Sequence, residues 1–409
     1  MLDPITLLTV IYYGILAIPL IAFYSLYKVQ TREKERLLIQ YGGSVFVFFV
    51  FILIAFRPIG HEGFTDTQMY MDWFFGSKFQ NKLETKDIGF GLLIYFSSKV
   101  LDVRMFFVLC TLISFGLFYW VSKMIAGQRW FLFFFGCMIS LYFWNHQVFT
   151  IRQGIASAFF LAAMLQKRVM MTLLLCILSV SFHKSFLLPL VGLGIVSFYS
   201  NFRFYLLLWI CSIPVSFFFG SELGEMLSPL LPADIRYYYL PKTGNQLLLQ
   251  DFRWDVILYS SMFLLVPLYV RSSDIKYRKI VNLYLLTNLF TILLIWPVEG
   301  FFHRFGYLSW FLTPLLIYYP ILTGQNKINY KNYFVVILFF YTLILLYIGV
   351  KIYTQNFKFV PDPASPTSSL LQINKNNELA EIDRCCSYKH NQLYTEFSTI
   401  FDDAHLFPI

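Results

Sequence analysis

Long apolar runs, separated by short polar gaps, follow one another along the chain from residue 4 to residue 352. A helix needs about 17–25 apolar residues to cross the hydrocarbon core of a bilayer. Runs of roughly that length, some a little short, predict about twelve transmembrane helices at residues 4–27, 38–56, 104–122, 130–147, 152–166, 169–182, 185–200, 204–220, 254–270, 280–298, 305–323 and 333–352. The pattern therefore predicts an all-α, polytopic helical membrane protein.

Two shorter segments predict helices that do not cross the bilayer. Residues 88–101 are apolar over only about half a span, which indicates a re-entrant or interfacial helix. Thr65 and Gln68 have the spacing of a capping box, and apolar residues recur at helical intervals after them. This predicts a helix on the membrane surface, with Asp66 in its first turn and Tyr70 one turn later on the same face.

The composition changes after residue 353, where Pro, Ser, Asn and charged residues replace the apolar runs. The chain thus divides into an integral membrane domain, residues 1–353, and a polar, loosely structured tail, residues 354–409. Most basic residues lie in the short gaps, which the positive-inside rule places in the cytoplasm. Both termini and the two longer loops, at about 57–87 and 221–253, are then predicted to lie outside.

The overall composition agrees with a membrane protein and excludes an ordinary soluble domain. The 409 residues are 58% hydrophobic, 20% aromatic and only 13% charged, and the mean hydropathy is +0.62. A net charge of +9 would indicate nucleic-acid binding in a soluble protein. Here the basic residues serve as topology signals, so no nucleic-acid partner is expected.

Four polar clusters lie at the ends of predicted spans, and each has a structural explanation beside a functional one. The clusters are Arg57 with Asp66 and Tyr70, Arg152 with Gln153, His183 with Lys184, and His303 with Arg304 and Tyr307. A carboxylate favours any helix N-terminus, and an arginine at a membrane boundary can simply snorkel. A lone histidine is more often a packing or hydrogen-bonding residue, and charged anchors are normal within an aromatic belt. Both explanations stay open for each cluster.

The predicted spans bring all four clusters out on the outer side of the membrane. Guanidinium groups bind a diphosphate through paired hydrogen bonds, and a carboxylate or imidazole can deprotonate an attacking hydroxyl. The set therefore suits a phosphorylated, membrane-bound donor. No P-loop, GxGxxG, HExxH or CxxC motif occurs, which argues against an ATP-driven pump, a dinucleotide enzyme or a familiar metal site.

Five short motifs follow one another along the chain: Arg57 with GFTDTQMY, KDIGF at 86–90, IRQGIASAFF at 151–160, FHKS at 182–185 and HRFGYLSWF at 303–311. In order and spacing they resemble the EpsG-like branch of the Wzy-type polysaccharide polymerases. The resemblance covers roughly residues 40–325 and depends on the order of the motifs rather than on any one of them. KDIGF carries Asp87 where the resemblance leads us to expect glutamate.

The resemblance implies a glycosyltransferase of the bacterial cytoplasmic membrane with a GT-C-like cavity at its outer face. Such an enzyme transfers a growing glycan from undecaprenyl diphosphate onto the next lipid-linked repeat unit, in O-antigen, capsule or exopolysaccharide synthesis. The implied partners are the lipid-linked donor and acceptor and membrane lipid, with a chain-length regulator as a further candidate. No cofactor and no metal is implied.

From their positions in the matching motifs, the resemblance implies that Arg152 and Arg304 bind the donor diphosphate and stabilise it as the leaving group. Asp66 is the candidate base for the acceptor hydroxyl, with His183 as its rival. The remaining residues assigned to substrate binding are Arg57, Tyr70, Gln153, Lys184 and Tyr307.

Other functions stay open at this point. Another lipid-linked glycosyltransferase or an O-antigen ligase shares the outer-face chemistry and differs in its acceptor. A lipid-linked oligosaccharide flippase would instead place charged residues along a path through the bundle. A membrane acyltransferase is disfavoured because neither His183 nor His303 lies in an acyltransferase motif.

Overall fold

A computed structural model of the protein describes residues 33–57, 65–80, 85, 87–148, 150–227, 254–270, 274–293 and 301–323. Within these ranges the chain forms helices and no strand. The helices are α1 Glu33–Ala55, α2 Thr65–Gln80, α3 Ile88–Val100, α4 Val103–Ala126, α5 Trp130–Ile139, α6 Leu141–Val148, α7 Ile151–Leu165, α8 Val169–Phe182, α9 Leu187–Phe198, α10 Phe202–Leu227, α11 Trp254–Val270, α12 Ile275–Leu293, α13 Phe301–Trp310 and α14 Thr313–Leu322. Short 3₁₀ turns at Gly127–Arg129 and Lys184–Phe186 connect α4 to α5 and α8 to α9.

The helices follow the apolar pattern of the sequence, and the all-α class is confirmed for the described residues. Both short segments are helical, with α2 beginning at Thr65 and α3 13 residues long. Their interfacial or re-entrant placement stays a prediction. The predicted spans 4–27 and 333–352 and the tail 354–409 lie outside the described residues. The number of membrane crossings and the outer-face cavity stay predictions.

Two predicted spans are interrupted, so the prediction of one continuous helix in each is wrong. Residues 130–147 divide into α5 and α6 at Ser140, whose hydroxyl donates a hydrogen bond to the Cys137 carbonyl in place of regular helical bonding. Residues 305–323 divide into α13 and α14. Pro314 lies in the first turn of α14 and has no N–H with which to continue the helix from α13.

The outer surface of the described bundle is strongly apolar. Two helical stretches, Val103–Ala126 and Phe202–Gly220, are long and apolar enough to cross a membrane, and six further apolar helices in the described residues are shorter. Large apolar side chains point outwards, with Phe198 96% and Val100 80% exposed. Many exposed apolar side chains of this size are stable against lipid and costly in water.

Helix α7 is buried along most of its length and packs against α8 and α4. Gly154 also allows α6 to approach α7 closely, because a β-carbon on Gly154 would lie 2.6 Å from the carbonyl oxygen of His146 in α6. On the other side, the Ser179 hydroxyl of α8 donates a 2.8 Å hydrogen bond to the Ala156 carbonyl. Because α7 and α8 run antiparallel, the start of α7 lies beside the end of α8.

Helix α12 is also largely buried, like α7, and it packs against α10, α13 and α9. Its Asn288 side chain is fully buried and accepts a hydrogen bond from the Trp209 indole of α10. The same amide donates to the hydroxyls of Ser260 in α11 and Ser309 in α13. One polar side chain therefore connects four helices within an otherwise apolar environment.

Candidate functional site

Asp87 immediately precedes α3, and its buried carboxylate joins three elements that are distant in sequence. Oδ2 accepts a hydrogen bond from Nη1 of Arg152 at 2.5 Å and lies 3.4 Å from Nδ1 of His183. Oδ1 accepts a hydrogen bond from the backbone N–H of Lys184 at 3.1 Å. We call Asp87, Arg152 and His183 the Asp87 cluster.

The packing of the helix ends brings the side chains of Asp87, Arg152 and His183 together. Arg152 lies in the first turn of α7, and His183 follows the last residue of α8, so the antiparallel pair brings them to the same end. Helix α3 packs against α8, because Gly89 presents no side chain to its neighbour. Asp87 lies two residues before Gly89 and is therefore held against both helix ends.

Aromatic rings surround the Arg152 guanidinium on the side of α2 and α3. Its central carbon lies 4.9 Å from the ring centre of Trp73, 5.6 Å from that of Tyr70 and 6.0 Å from that of Phe90. Tyr70 and Phe90 also pack edge to face, with 5.3 Å between ring centres. Contacts of a cation with aromatic faces contribute about 0.5–2 kcal/mol each and fix the orientation of the guanidinium plane.

Electrostatics keep Asp87 ionised. Burial alone would raise the pKa of Asp87, but the hydrogen bond and charge of His183, the charge of Arg152 and the Lys184 N–H together outweigh it. The pKa of Asp87 therefore lies below its ordinary value, and the group is a carboxylate at neutral pH. A carboxylate only accepts hydrogen bonds, so Nδ1 of His183 is the donor in their contact.

The three side chains differ in how far they reach the surface. The Asp87 side chain is 2% exposed, whereas those of Arg152 and His183 are 19% and 23% exposed. A ligand that approaches the Asp87 cluster therefore meets a guanidinium and an imidazole, with the carboxylate beneath them. A cation beside a titratable base is a suitable arrangement for binding an anion and moving a proton.

Arg57 lies just beyond α1 and is buried, with 2% of its surface exposed. Its Nη1 donates to the Ile54 carbonyl at 2.8 Å, and its guanidinium lies 5.0 Å from the ring centre of Phe107. Its Nε and Nη2 atoms have no hydrogen-bond partner among the described residues. Burial lowers the pKa of Arg57 to about 10.

The sequence model of the EpsG family matches residues 43–362, which is most of the chain. The chain belongs to the EpsG family. The resemblance inferred from the motifs is confirmed at the level of the family. No curated protein and no solved structure matches the chain.

Family membership indicates where the helical bundle lies and what kind of reaction it carries out. This EpsG-family chain is a membrane protein, and its family indicates a glycosyltransferase-like polymerase in polysaccharide biosynthesis. A polymerase of this kind acts on lipid-linked sugars. The matched residues include the Asp87 cluster and all the site residues predicted from the sequence.

The structure of this EpsG-family protein brings several of the predicted site residues near one another. The Thr67 hydroxyl of α2 donates to the Val148 carbonyl at 3.3 Å, which places the start of α2 beside the start of α7. Asp66 belongs to that first turn of α2, but its side chain lies outside the described residues. Gln153 is buried on α7 next to Arg152.

The remaining predicted residues lie around the same helix ends. The Lys184 side chain is exposed, and its contribution to the Asp87 cluster comes from its backbone N–H. Tyr307 of α13 packs edge to face on His146 of α6, with 5.0 Å between ring centres. Arg304 belongs to α13, one turn before Tyr307, and its side chain, like that of His303, lies outside the described residues.

The sequence prediction did not assign a site role to Asp87 or Trp73 in this EpsG-family protein. The KDIGF motif marks Asp87 only as an aspartate where the resemblance leads us to expect glutamate. One signal in the sequence was available, because an acid at the start of a short apolar helix is costly unless it has a partner. Trp73 carried no separate signal, since tryptophan is common wherever a helix meets a membrane surface.

Proposed function

We propose that this EpsG-family protein polymerises undecaprenyl-diphosphate-linked oligosaccharide repeat units at the outer face of the bacterial cytoplasmic membrane. The product is O-antigen, capsular polysaccharide or exopolysaccharide. The observation that carries the proposal is the pairing of Arg152 with Asp87 beside His183, in a chain whose family indicates a polysaccharide polymerase.

Arg152 has the properties of a diphosphate ligand. A guanidinium can form two parallel hydrogen bonds with a phosphate group, and Arg152 is already oriented by Asp87 and by the ring of Trp73. In the proposed reaction Arg152, together with Arg304, binds the donor diphosphate. The two cations stabilise the negative charge that develops on the diphosphate as the glycosidic bond breaks.

The transfer itself needs a base for the acceptor sugar. A hydroxyl oxygen of the acceptor bonds to the anomeric carbon of the donor, the bond from that carbon to the diphosphate oxygen breaks, and the diphosphate leaves with the electron pair. Asp66 or His183 takes the hydroxyl proton. Lys184 is exposed and Tyr307 is partly exposed, so both can contact substrate directly. The other residues assigned to substrate binding are buried and support the site from beneath: Arg57, Tyr70 and Gln153.

The test is a gel of surface polysaccharide from a deletion strain complemented with single variants. We expect ladders of polymer with the wild type and single-repeat product with Arg152→Ala or Asp66→Ala. Arg168→Ala is the matched control, because Arg168 is an exposed arginine at the opposite end of α8 from His183. Its ladder should equal that of the wild type.

Two outcomes of this experiment contradict the proposal. Full ladders from Arg152→Ala at normal expression would exclude Arg152 as the diphosphate ligand. A deletion strain with no repeat unit at the surface would indicate a flippase, since a polymerase acts on units that have already crossed the membrane.

A further inference from the structure

We propose that Asp87 is the positioning residue of this site: it presents His183 as the base for the attacking hydroxyl and orients Arg152 towards the diphosphate. The inference depends on the proposed polymerase function. That function leaves Asp66 and His183 as alternatives for the base that takes the hydroxyl proton, and the inference selects His183. It is carried by the geometry of the Asp87 cluster.

Asp87 cannot itself act on substrate. Both carboxylate oxygens already accept hydrogen bonds, Oδ2 from Arg152 and Oδ1 from the Lys184 backbone, and Oδ2 also contacts His183. Only 2% of the side chain is exposed. A buried carboxylate whose two oxygens are both engaged by the protein orients its partners rather than taking up a substrate proton.

The contact with Asp87 fixes the proton arrangement of His183. Since the carboxylate can only accept, the neutral imidazole carries its hydrogen on Nδ1 and its lone pair on Nε2. Nε2 lies on the edge of the ring remote from Nδ1, and the His183 side chain is 23% exposed. When Nε2 takes a proton, the adjacent carboxylate stabilises the resulting imidazolium, as in acid–histidine pairs of hydrolases.

One carboxylate oxygen contacts both functional groups. Oδ2 of Asp87 lies 2.5 Å from the Arg152 guanidinium and 3.4 Å from the His183 imidazole, so the separation of cation and base is set by Asp87. Bond formation at the anomeric carbon and departure of the diphosphate need their two catalytic groups at a fixed spacing. The proton passes from the acceptor hydroxyl to Nε2 and later from the imidazolium to water, while Arg152 remains with the diphosphate.

The experiment uses the purified full-length protein with a lipid-linked repeat unit as substrate. Asp87→Asn removes the charge and keeps the size, and we expect the polymerisation rate to fall at least about 100-fold. Asp87→Glu keeps the charge and should retain most of the rate. Asp102→Asn is the matched control, because Asp102 also precedes a helix but is exposed, and its side chain accepts a hydrogen bond from the backbone N–H of Met105.

The pH profile separates positioning from simple structural damage. Among the described residues, the charged groups near His183 include Asp87 from the start of α3, Arg152 from α7 and the neighbouring Lys184. Without the carboxylate the imidazolium loses its stabilisation, so the acidic limb of the rate profile should move to lower pH by about one unit in Asp87→Asn. Structural damage alone would lower the rate equally at every pH. Asp87→Glu should keep the wild-type limb.

The outcomes distinguish this inference from the proposed function. If the wild type polymerises and Arg152→Ala does not, but Asp87→Asn has the wild-type rate and profile, the role of Asp87 is excluded and the polymerase function stands. If the wild type forms no polymer, the proposed function fails first. Should Asp87→Asn not fold, His183→Gln and Asp87→Glu carry the test: the proposal requires loss of activity in the former and a wild-type acidic limb in the latter.

Discussion

Gly89 of α3 lies in direct contact with Ser181 of α8: a β-carbon on Gly89 would be 2.5 Å from the Ser181 hydroxyl oxygen and 3.0 Å from its backbone carbonyl carbon. Side chains do not tolerate such distances, so α3 and α8 approach closely only because position 89 is glycine. The same approach brings Asp87 within reach of His183.

We therefore expect Gly89→Ala to push α3 away from α8. The strain should lower the free energy of unfolding by about 1–3 kcal/mol, and the displaced Asp87 should reduce polymerisation. The thermal midpoint of the detergent-solubilised protein and the polymer ladder measure the two effects. Gly116→Ala in α4 is the control, because a β-carbon there meets nothing within 4 Å. Equal losses in both variants would contradict the prediction.

The positions of the helices could be predicted because a lipid-facing helix has to be apolar over a length set by the bilayer. The breaks at Ser140 and before Pro314 could not, since each depends on a local hydrogen bond or a missing N–H that an apolar run conceals. A sequence pattern of hydrophobicity reports burial and length, and it is insensitive to such local bonding.

The candidate site could be predicted only where its residues are of a type that is rare beside apolar runs. Arg152 and His183 attracted notice because charged and titratable groups beside apolar runs are costly. Asp87 did not, because its role depends on contacts with residues 65 and 97 positions away in the sequence. Those contacts follow from the packing of α3 on α8, which no local pattern in the sequence indicates.

Trp73 provides a test of how Arg152 is oriented. Loss of the indole in Trp73→Ala removes a cation–aromatic contact of about 0.5–2 kcal/mol, so the donor concentration for half-maximal rate should rise about 2–30-fold. Trp73→Phe should lose less, because a ring remains. Phe79→Ala is the control on the same helix, since Phe79 is 75% exposed and belongs to the outer surface. An unchanged donor requirement in Trp73→Ala would mean that the indole does not orient the guanidinium.

The low pKa of Asp87 predicts how its contribution to stability depends on pH. A carboxylate whose pKa is lower in the folded state than the ordinary 3.8 stabilises the fold above that value and loses this effect only as the pH falls through the folded pKa. Asp87→Asn should therefore lower stability by roughly 1–3 kcal/mol at pH 7. Protonation of His183 strengthens its contact with the carboxylate, so the difference should not shrink between about pH 7 and pH 5.

Thermal midpoints of the wild type and Asp87→Asn, measured side by side in detergent across that pH range, check the sign. The difference should decrease only below about pH 4, as the pH falls towards and through the lowered pKa of Asp87 in the folded protein. A difference that disappears between pH 7 and pH 5 would mean that burial, rather than His183 and Arg152, controls the titration of Asp87.

Two asparagines of α12 should respond in opposite directions to the same substitution. Asn288→Leu leaves the Trp209 N–H and the hydroxyls of Ser260 and Ser309 without their partner, so the free energy of unfolding should fall by about 1–3 kcal/mol. Asn282 is also fully buried, but neither its Oδ1 nor its Nδ2 has a hydrogen-bond partner among the described residues. A buried amide without a partner destabilises the fold, so Asn282→Leu should raise the thermal midpoint. A loss of equal size in both variants would show that the polar network around Asn288 has no special part in joining the four helices.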